Sequence, residues 1–260
     1  MNVHCFAIPA YKDSKYLEAC IDSILKQTIK SDIIICTSTP TEQNKKIAEK
    51  YNIPYFVNNT GETGIAADWN FAFLNAKTNL VTITHQDDIY EPIFAEAAIK
   101  SINKSSLISF TNYADIHGDK IKSYSLNSII KTLLLFPFLI KNKIAFKFIK
   151  KIILSFGDPI CCPSVTINKK LLPEFSFSNH YTCALDWHAW YQLANVVGEF
   201  VFINKKLVKH RIHEESETTN QIKIGKRQKE EETILKQIWG NRLGSFIALA
   251  YKQGHLENKL

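Results

Sequence analysis

The strongest constraint on the fold is a regular alternation of short apolar runs with longer amphipathic runs over the first 112 residues. The apolar runs have the length of buried strands, and the amphipathic runs repeat with helical period. The predicted strands are residues 3–8, 33–36, 55–57, 80–84 and 107–112. Alternation of this kind favours right-handed crossovers between parallel strands. The sequence therefore predicts an α/β fold on a Rossmann-like, doubly wound, mostly parallel sheet.

The second half of the chain alternates less regularly. A helix is predicted over residues 185–194, and two strand segments around Asn204 are predicted within residues 200–210. We predict one domain over residues 1–215, followed by a helical C-terminal extension over residues 216–260.

The segment from Lys131 to Lys151 has two interpretations. An apolar run precedes a helix over residues 144–156, whose apolar face includes Phe148 and Ile152. The opposite face is predicted to carry Lys143, Lys147, Lys150 and Lys151. Such a helix can lie in the interface of an anionic membrane. Alternatively it covers the sheet with its lysines in water, in which case Phe148 and Ile152 are buried.

The composition is that of a globular protein with an anionic partner. Hydrophobic residues make up 45% of the chain, and the formal net charge is +7, which suits a nucleotide, a membrane surface or nucleic acid. The six cysteines include no C-x-x-C pair, which indicates reduced thiols. Neither a signal peptide nor an apolar stretch of about 20 residues is present. We therefore expect a cytoplasmic protein, with the inner face of the cell membrane as a second possible location.

The sequence HQDD, residues 85–88, follows the fourth predicted strand. Carboxylates just beyond the carboxyl end of a strand lie where open α/β sheets bind ligands. Asp87 and Asp88 would suit Mg²⁺ or Mn²⁺ holding a diphosphate. The competing interpretation is that the two aspartates cap the helix that follows.

Six segments, in order, resemble the GT-A-fold, family 2 nucleotide-sugar glycosyltransferases of bacteria. They are IPAYKDSKYLEACIDSILKQT, GETGIAADWNFAFLNAK, HQDDIYEP, DPICCPSVTINKKLL, CALDWHAWYQLA and HRIHEESET. The resemblance runs from about residue 3 to residue 218. It implies a GT-A-type fold with a nucleotide-sugar half over residues 1–118 and an acceptor half over residues 119–215.

The resemblance also implies a set of site residues. The metal ligands would be Asp87, Asp88 and His213, binding Mn²⁺ or Mg²⁺. Donor contacts would come from Pro9, Tyr11, Thr37, Asp68, Asn70 and Asp87. Tyr11 could stack on the base, and a turn tyrosine is the alternative.

Two positions depart from the family pattern. Thr37 follows Cys36 where the family usually has an aspartate that contacts the nucleobase. His85 begins the metal motif where an aspartate is usual, so the metal must rely on Asp87 or Asp88.

An inverting transfer needs a base for the acceptor hydroxyl, and Asp186 is the candidate. Burial beside Trp187, Trp190 and Tyr191 would raise its pKa. The alternative is that Asp186 only caps the helix. Glu174 and Glu199 are the alternative candidates for the catalytic base. The indole rings would serve either sugar stacking or core packing.

Together these features predict an inverting, metal-dependent glycosyltransferase of cell-surface polysaccharide synthesis. Its donor would be a nucleotide sugar, with a UDP-sugar as first choice, and its acceptor a glycan or lipid-linked glycan. A nucleotidyltransferase is an alternative, although IPAYKDS lacks the usual glycine-rich loop. A non-catalytic nucleotide-binding module is a second alternative. No nucleic-acid partner is expected, because the lysines alternate with apolar residues rather than with stacking aromatics.

Overall fold

The computed structural model describes residues 2–118, 120–121, 126–213 and 225–256. Its strands are β1 (His4–Pro9), β2 (Asp32–Thr37), β3 (Tyr55–Val57), β4 (Leu80–Ile83), β5 (Ile89–Tyr90), β6 (Ser106–His117), β7 (Lys120–Ile121), β8 (Lys143–Ile144), β9 (Val165–Asn168) and β10 (Glu199–Arg211). Its helices are α1 (Leu17–Leu25), α2 (Glu42–Lys50), α3 (Ile65–Asn75), α4 (Phe94–Ser101), α5 (Leu126–Leu134), α6 (Phe136–Ile140), α7 (Lys147–Leu154), α8 (Leu185–Ala194) and α9 (Lys226–Leu256).

The strands form one sheet in the order β3-β2-β1-β4-β9-β6-β10-β5, with β7 beside β6 and β8 beside β10. The first four strands pair in parallel, as do β6 and β10. Strand β9 lies antiparallel between β4 and β6. This mixed α/β architecture with a mostly parallel sheet confirms the predicted fold class.

Both faces of the sheet are covered, which explains why its central strands are apolar throughout. In β1, Phe6 and Ile8 pack with α1, α2 and α4, whereas Cys5 and Ala7 pack with α3 on the other face. The alternation follows from the two-residue period of a strand. Strands β1 to β4 agree with the predicted strands to within a few residues, and helices α1 to α4 lie in the predicted amphipathic runs.

Two predicted elements differ from the structure. The sequence predicts that Asp13 or Ser14 caps α1, but the helix begins at Leu17, and Tyr16 occupies its N-cap without a side-chain hydrogen bond. Residues 199–211 form one long strand rather than two, because β10 absorbs the irregularity near Asn204 as register shifts against β6.

Helix α7 corrects the predicted lysine face. Lys150 is fully buried, and its Nζ donates hydrogen bonds to the carbonyl oxygens of Val196 and Gly198, each at 2.9 Å. Phe148 and Ile152, in contrast, are 72% and 40% exposed. The helix therefore packs on the sheet through one lysine, while part of its apolar face remains in solvent.

The C-terminal helix α9 packs into the same core as helices α7 and α8. Ile234 and Leu235 are buried there. Gly240 has a left-handed φ of 76° and divides α9 into two segments. A Cβ at Gly244 would lie 2.6 Å from the Cα of Lys236, so the two segments pack closely. The predicted domain boundary at residue 215 lies outside the described residues. Among the described residues, no helix combines the length and apolar character needed to cross a bilayer.

Candidate active site

The HQDD loop and the end of β10 meet at one edge of the sheet. The loop joins β4 to β5, and β5 pairs antiparallel with β10 through Ile89 and Lys209. That pairing places the residues after Lys209 beside Asp87 and Asp88. The site therefore lies at the carboxyl end of β4, where the sequence predicted it.

Three potential metal ligands lie together in this loop. His85, Asp87 and Asp88 each offer one ligand atom within 4.8 Å of the other two. His213, the third predicted ligand, places its Nε2 2.9 Å from Asp87 Oδ2, and its role as a ligand remains a prediction. Sequence reasoning missed His85 as a ligand, because it treated the histidine as a lost aspartate.

Arg211 holds the two aspartates from the side of β10. Its backbone N–H donates to Asp88 Oδ1 at 2.9 Å, and its Nε donates to the carbonyl oxygen of Asp87 at 3.0 Å. The guanidinium carbon lies 4.5 Å from the ring centroid of Tyr16, which also packs against His213. Neither Tyr16 nor Arg211 was singled out from the sequence, because their roles depend on chain pairing across the sheet.

The pKa values of the residues in this cluster are shifted in different directions. Burial raises the pKa of Asp88 to about 7. Burial also acts to raise the pKa of Asp87, but the hydrogen bond from His213 and nearby histidine charges outweigh it, so that pKa falls below its ordinary value. Burial lowers the pKa of His85 to about 4. One carboxylate is thus held ionised beside a neutral imidazole.

The residues present fit a divalent metal ion. Asp88 Oδ2, His85 Nε2 and His213 Nδ1 are buried without a hydrogen-bond partner among the described residues. Unpaired buried polar atoms are costly, and a cation would satisfy Asp88 Oδ2, which lies 3.7 Å from His85 Nδ1. Carboxylate oxygens with an imidazole suit Mn²⁺ in particular, since Mg²⁺ prefers oxygen ligands alone.

The turn after β1 borders the same loop. The side chain of Gln86 accepts from the backbone N–H of Tyr11 and donates to its carbonyl oxygen, both at 3.1 Å. Tyr11 is 51% exposed, so its ring is available to a ligand. Pro9 ends β1 beside Cys36 of β2. The structure thus brings Pro9 and Tyr11 to the edge that carries the metal cluster.

The other predicted donor residues have their side chains engaged. Thr37 is fully buried, and its hydroxyl accepts from the N–H of Thr39. Asn70 exchanges two hydrogen bonds with the backbone of Phe177. Donor contacts from these two side chains remain predictions, and Thr37 would have to become accessible to make one.

Asp68 also lies mostly inside the protein. Its Oδ2 accepts from the hydroxyl of Ser38 at 2.8 Å, and Asn58 contacts its other oxygen. Burial raises its pKa, although both hydrogen bonds oppose the shift. Asp68 holds the segment after β2 against the start of α3, so a direct donor contact from it remains a prediction.

Asp186 lies in the first turn of α8, as predicted. Its Oδ1 accepts from the N–H of Trp187 at 2.9 Å. Burial raises the pKa of Asp186, against the hydrogen bond from Trp187 and the positive charges of Arg227 and Lys131. Trp187 and Trp190 are buried in the core, so the structure assigns these indoles to packing rather than to sugar stacking.

A second carboxylate, missed in the sequence, lies near Asp186. The pKa of Asp158 is raised well above its ordinary value, first by burial and then by the charge of Asp186. Neither earlier alternative base is supported. Glu174 is exposed, and Glu199 begins β10 at the end opposite the metal cluster, where it accepts from Asn103.

Glu230 of α9 holds the helix that carries Asp186. Its carboxylate accepts from the backbone N–H groups of Thr182, Cys183 and Ala184 at 2.8–3.1 Å. Those residues lead directly into α8, whose own N-cap, Ala184, has no side-chain acceptor. A distant glutamate therefore supplies the cap that the local sequence lacks.

The segment before β9 connects the two groups of carboxylates. Burial is the main cause of the raised pKa of Cys162. The negative charge of Asp186 adds to the shift, and that of Asp88 adds a smaller amount. Both aspartates therefore act on one short stretch of chain. The arrangement offers a cluster of possible metal ligands and a separate carboxylate, Asp186.

Comparison with known proteins places this arrangement in a family. The family model described as "Glycosyl transferase family 2" matches residues 5–172, which are more than half of the chain. An uncharacterized glycosyltransferase of Rickettsia typhi is 28% identical over 225 residues, 82% of this chain. The chain spans only 64% of that relative's length.

Solved structures share the fold. A mannosyltransferase from Pyrobaculum calidifontis, in complex with GDP-Man and Mn²⁺, matches 100% of this chain and 76% of its own at 13% identity, with a TM-score of 0.64. TarS of S. aureus, in complex with UDP-GlcNAc, matches 99% of this chain and 73% of its own at 16% identity, with a TM-score of 0.62. The likeness confirms the predicted GT-A-type fold. With its sequence match over residues 5–172, the chain belongs to glycosyl transferase family 2.

Proposed function

We propose that the protein transfers a sugar from a nucleotide-sugar donor to a glycan or lipid-linked acceptor, with inversion at the anomeric carbon. The observation that carries the proposal is the cluster of His85, Asp87 and Asp88, with ligand atoms left open at the carboxyl end of β4. Donors of this kind are present in the two related structures described above. We take a UDP-sugar as the donor and cell-surface polysaccharide synthesis as the setting.

His85, Asp87 and Asp88 would hold a divalent cation, Mn²⁺ in preference to Mg²⁺. When bound, such an ion neutralises the charge that develops on the leaving diphosphate. His213 fixes the orientation of Asp87 through their 2.9 Å contact. Arg211 holds both aspartates in place through its backbone and side chain. This set of contacts fixes the carboxylates before the donor arrives.

Asp186 acts as the base. It accepts the proton of the acceptor hydroxyl while that oxygen forms a bond to the anomeric carbon and the bond to the diphosphate breaks. Attack from the side opposite the leaving group inverts the configuration. The raised pKa of Asp186 favours this role, because a base with a pKa nearer to neutral holds the transferred proton better.

Tyr11 and Pro9 form the donor side of the proposed site. The exposed ring of Tyr11 would stack on the nucleobase, while Gln86 fixes its backbone beside the metal loop. This geometry couples nucleobase binding to the loop that carries Asp87 and Asp88.

A thermal-shift screen of nucleotide sugars, with and without Mn²⁺, tests the proposal. A ligand at 100 times its Kd stabilises a native protein by about 2.7 kcal/mol. We expect at least one UDP-sugar to raise the melting temperature only when Mn²⁺ is present. If no nucleotide sugar shifts the transition with Mn²⁺, the proposed donor site is wrong.

The configuration of the product tests the direct displacement separately. With the donor from the screen, NMR of the first-formed glycoside should show the anomeric configuration opposite to that of the donor. A product with retained configuration would contradict a single attack assisted by Asp186.

We also propose that the protein works at the inner face of the cell membrane, where lipid-linked acceptors are found.

A further inference from the structure

One continuous stretch carries most of the chain's excess positive charge. Residues 126–157 contain six lysines and no aspartate or glutamate, which contributes +6 to a net charge of +7. The lysines are Lys131, Lys141, Lys143, Lys147, Lys150 and Lys151. Lys150 is committed to the fold, whereas Lys141 and Lys147 are exposed. The stretch is therefore strongly basic on its outer side.

The same stretch exposes an unusual amount of apolar surface. Nine of the 21 exposed large hydrophobic side chains among the described residues lie between residues 129 and 156. They are Ile129, Leu133, Phe136, Leu139, Ile140, Phe146, Phe148, Ile152 and Phe156. Single exposed apolar residues are ordinary, but a concentration of this kind marks an interaction surface.

The C-terminal helix extends this surface. Helix α9 contacts α5, and the ring of Trp239 in α9 packs 5.1 Å from that of Phe156. Beyond the bend at Gly240, α9 exposes Leu243, Phe246 and Leu249. We call the exposed side of α5, α6, α7 and this second segment of α9 the basic-apolar face.

The combination of groups on the basic-apolar face identifies its partner. Phenylalanine and aliphatic side chains suit the boundary between headgroups and acyl chains, and lysines suit anionic headgroups. A second copy of this chain would bring like charges together, because the stretch offers no carboxylate to pair with the lysines. Charge complementarity therefore favours an anionic lipid surface.

We propose that the basic-apolar face docks on an anionic lipid bilayer. Helix α7, which carries Phe148, packs directly against α8, which carries Asp186. Docking would thus hold the proposed base close to the membrane, where a lipid-linked acceptor could reach it. That consequence rests on the proposed function, whereas lipid binding itself does not.

Flotation of the full chain with phosphatidylglycerol-containing vesicles tests the proposal. We expect the wild-type protein to float at low salt. The triple variant Lys141→Gln, Lys143→Gln, Lys147→Gln should bind roughly 100-fold more weakly, at about fivefold per lysine. The matched control changes the exposed Lys30, Lys45 and Lys46 of the opposite half to glutamine, and it should bind as the wild type does.

A second pair of variants tests the apolar contribution. Phe146→Ser with Phe148→Ser should weaken binding at every salt concentration, by roughly 10-fold or more per side chain. Val3→Ser with Leu74→Ser changes side chains that are 51% and 60% exposed on other surfaces, and it should have no effect. Thermal unfolding of every variant shows whether the fold is intact.

Three outcomes would overturn the proposal. They are a wild-type protein that stays in solution at low salt, equal losses in the control variants, and equal binding to neutral phosphatidylcholine vesicles. A lipid-free dimer in sedimentation that Phe146→Ser with Phe148→Ser dissociates would assign the face to a second copy instead. The flotation assays contain no donor, so they report docking alone. Transfer to a soluble acceptor needs no docking, so an assay with that acceptor reports separately whether the proposed function fails.

Discussion

The two halves of the molecule hold their carboxylates in different ways. In residues 1–118, the proposed nucleotide-sugar half, His85, Asp87 and Asp88 come from a single loop, and their ligand atoms converge within 4.8 Å. In residues 119–215, the proposed acceptor half, Asp186 depends on Glu230, which lies 44 residues further along the chain and caps the approach to its helix. The first site is built locally and then braced, whereas the second requires the C-terminal helix to be in place.

The largest effect is expected in the local site. Asp88→Asn keeps the shape of the side chain but removes the charge that a metal ion requires. Transfer should fall by at least about 10³-fold, because several kcal/mol of charge stabilisation are lost. Steady-state kinetics with saturating Mn²⁺ measures the loss, and Asp22→Asn, on the exposed side of α1, is the matched control. Full activity of Asp88→Asn, or of the wild type in EDTA, would refute the metal assignment.

Asp186→Asn should give the next largest effect. We expect kcat to fall by roughly 10²-fold or more with little change in donor KM, because a base acts on the chemical step. The comparison is with Asp158→Asn, because burial raises the pKa of the neighbouring Asp158 well above its ordinary value and so disfavours its ionised form. If Asp158→Asn loses the activity and Asp186→Asn retains it, the base is Asp158.

Glu230→Ala tests whether the acceptor half depends on its remote cap. Loss of the carboxylate leaves buried N–H groups before α8 unpaired, which should cost about 2 kcal/mol of unfolding free energy. As Asp186 loses its position, kcat should fall by about 10-fold while donor KM stays unchanged. Glu232→Gln weakens the half-exposed pair with Lys236 on the same helix, and both properties should stay near wild type. A rise in donor KM alone would contradict a positioning role for Glu230.

The smallest expected effect is a shift in pH dependence. The base must be ionised, so kcat should fall as the pH drops through the raised pKa of Asp186. Burial raises that pKa, and the hydrogen bond from the Trp187 N–H lowers it. The positive charges of Arg227 and Lys131 lower it further. Arg227→Gln should therefore move the acid limb of the kcat profile to higher pH and leave the alkaline plateau unchanged. A limb that moves to lower pH, or does not move, would show that Asp186 does not control it.

The same difference explains how much could be predicted from the sequence. Strands β1 and β4 and most of β2 are buried on both faces, so continuous apolar runs identify them. The aspartates that follow β4 lie at the predicted edge. Arg211 and Tyr16 escaped notice because contacts across the sheet, not spacing in the sequence, bring them to the loop. His85 was missed as a possible ligand because it stands where the family usually has an aspartate. Thr37 and Asn70 carry suitable groups, but burial and the backbone of Phe177 occupy them.

The acceptor half was harder to predict because its contacts are distant in the chain. Helical period correctly placed a helix near Lys150, but period alone could not show that two carbonyl oxygens, one on either side of Val197, would draw that lysine inside. Glu230 appears in the sequence as one of three consecutive glutamates on a polar helix. Only the folded chain shows that it caps α8.

Binding of UDP by two variants tests the division between the halves most directly. Calorimetric titration with and without Mn²⁺ should give Mn²⁺-dependent binding to the wild type and to Asp186→Asn, with Kd values within about threefold of each other. Asp88→Asn should lose at least about 10-fold in affinity, because its metal site is incomplete. Binding that ignores Mn²⁺, or an Asp186→Asn variant as weak as Asp88→Asn, would contradict the separation of donor binding from the acceptor base.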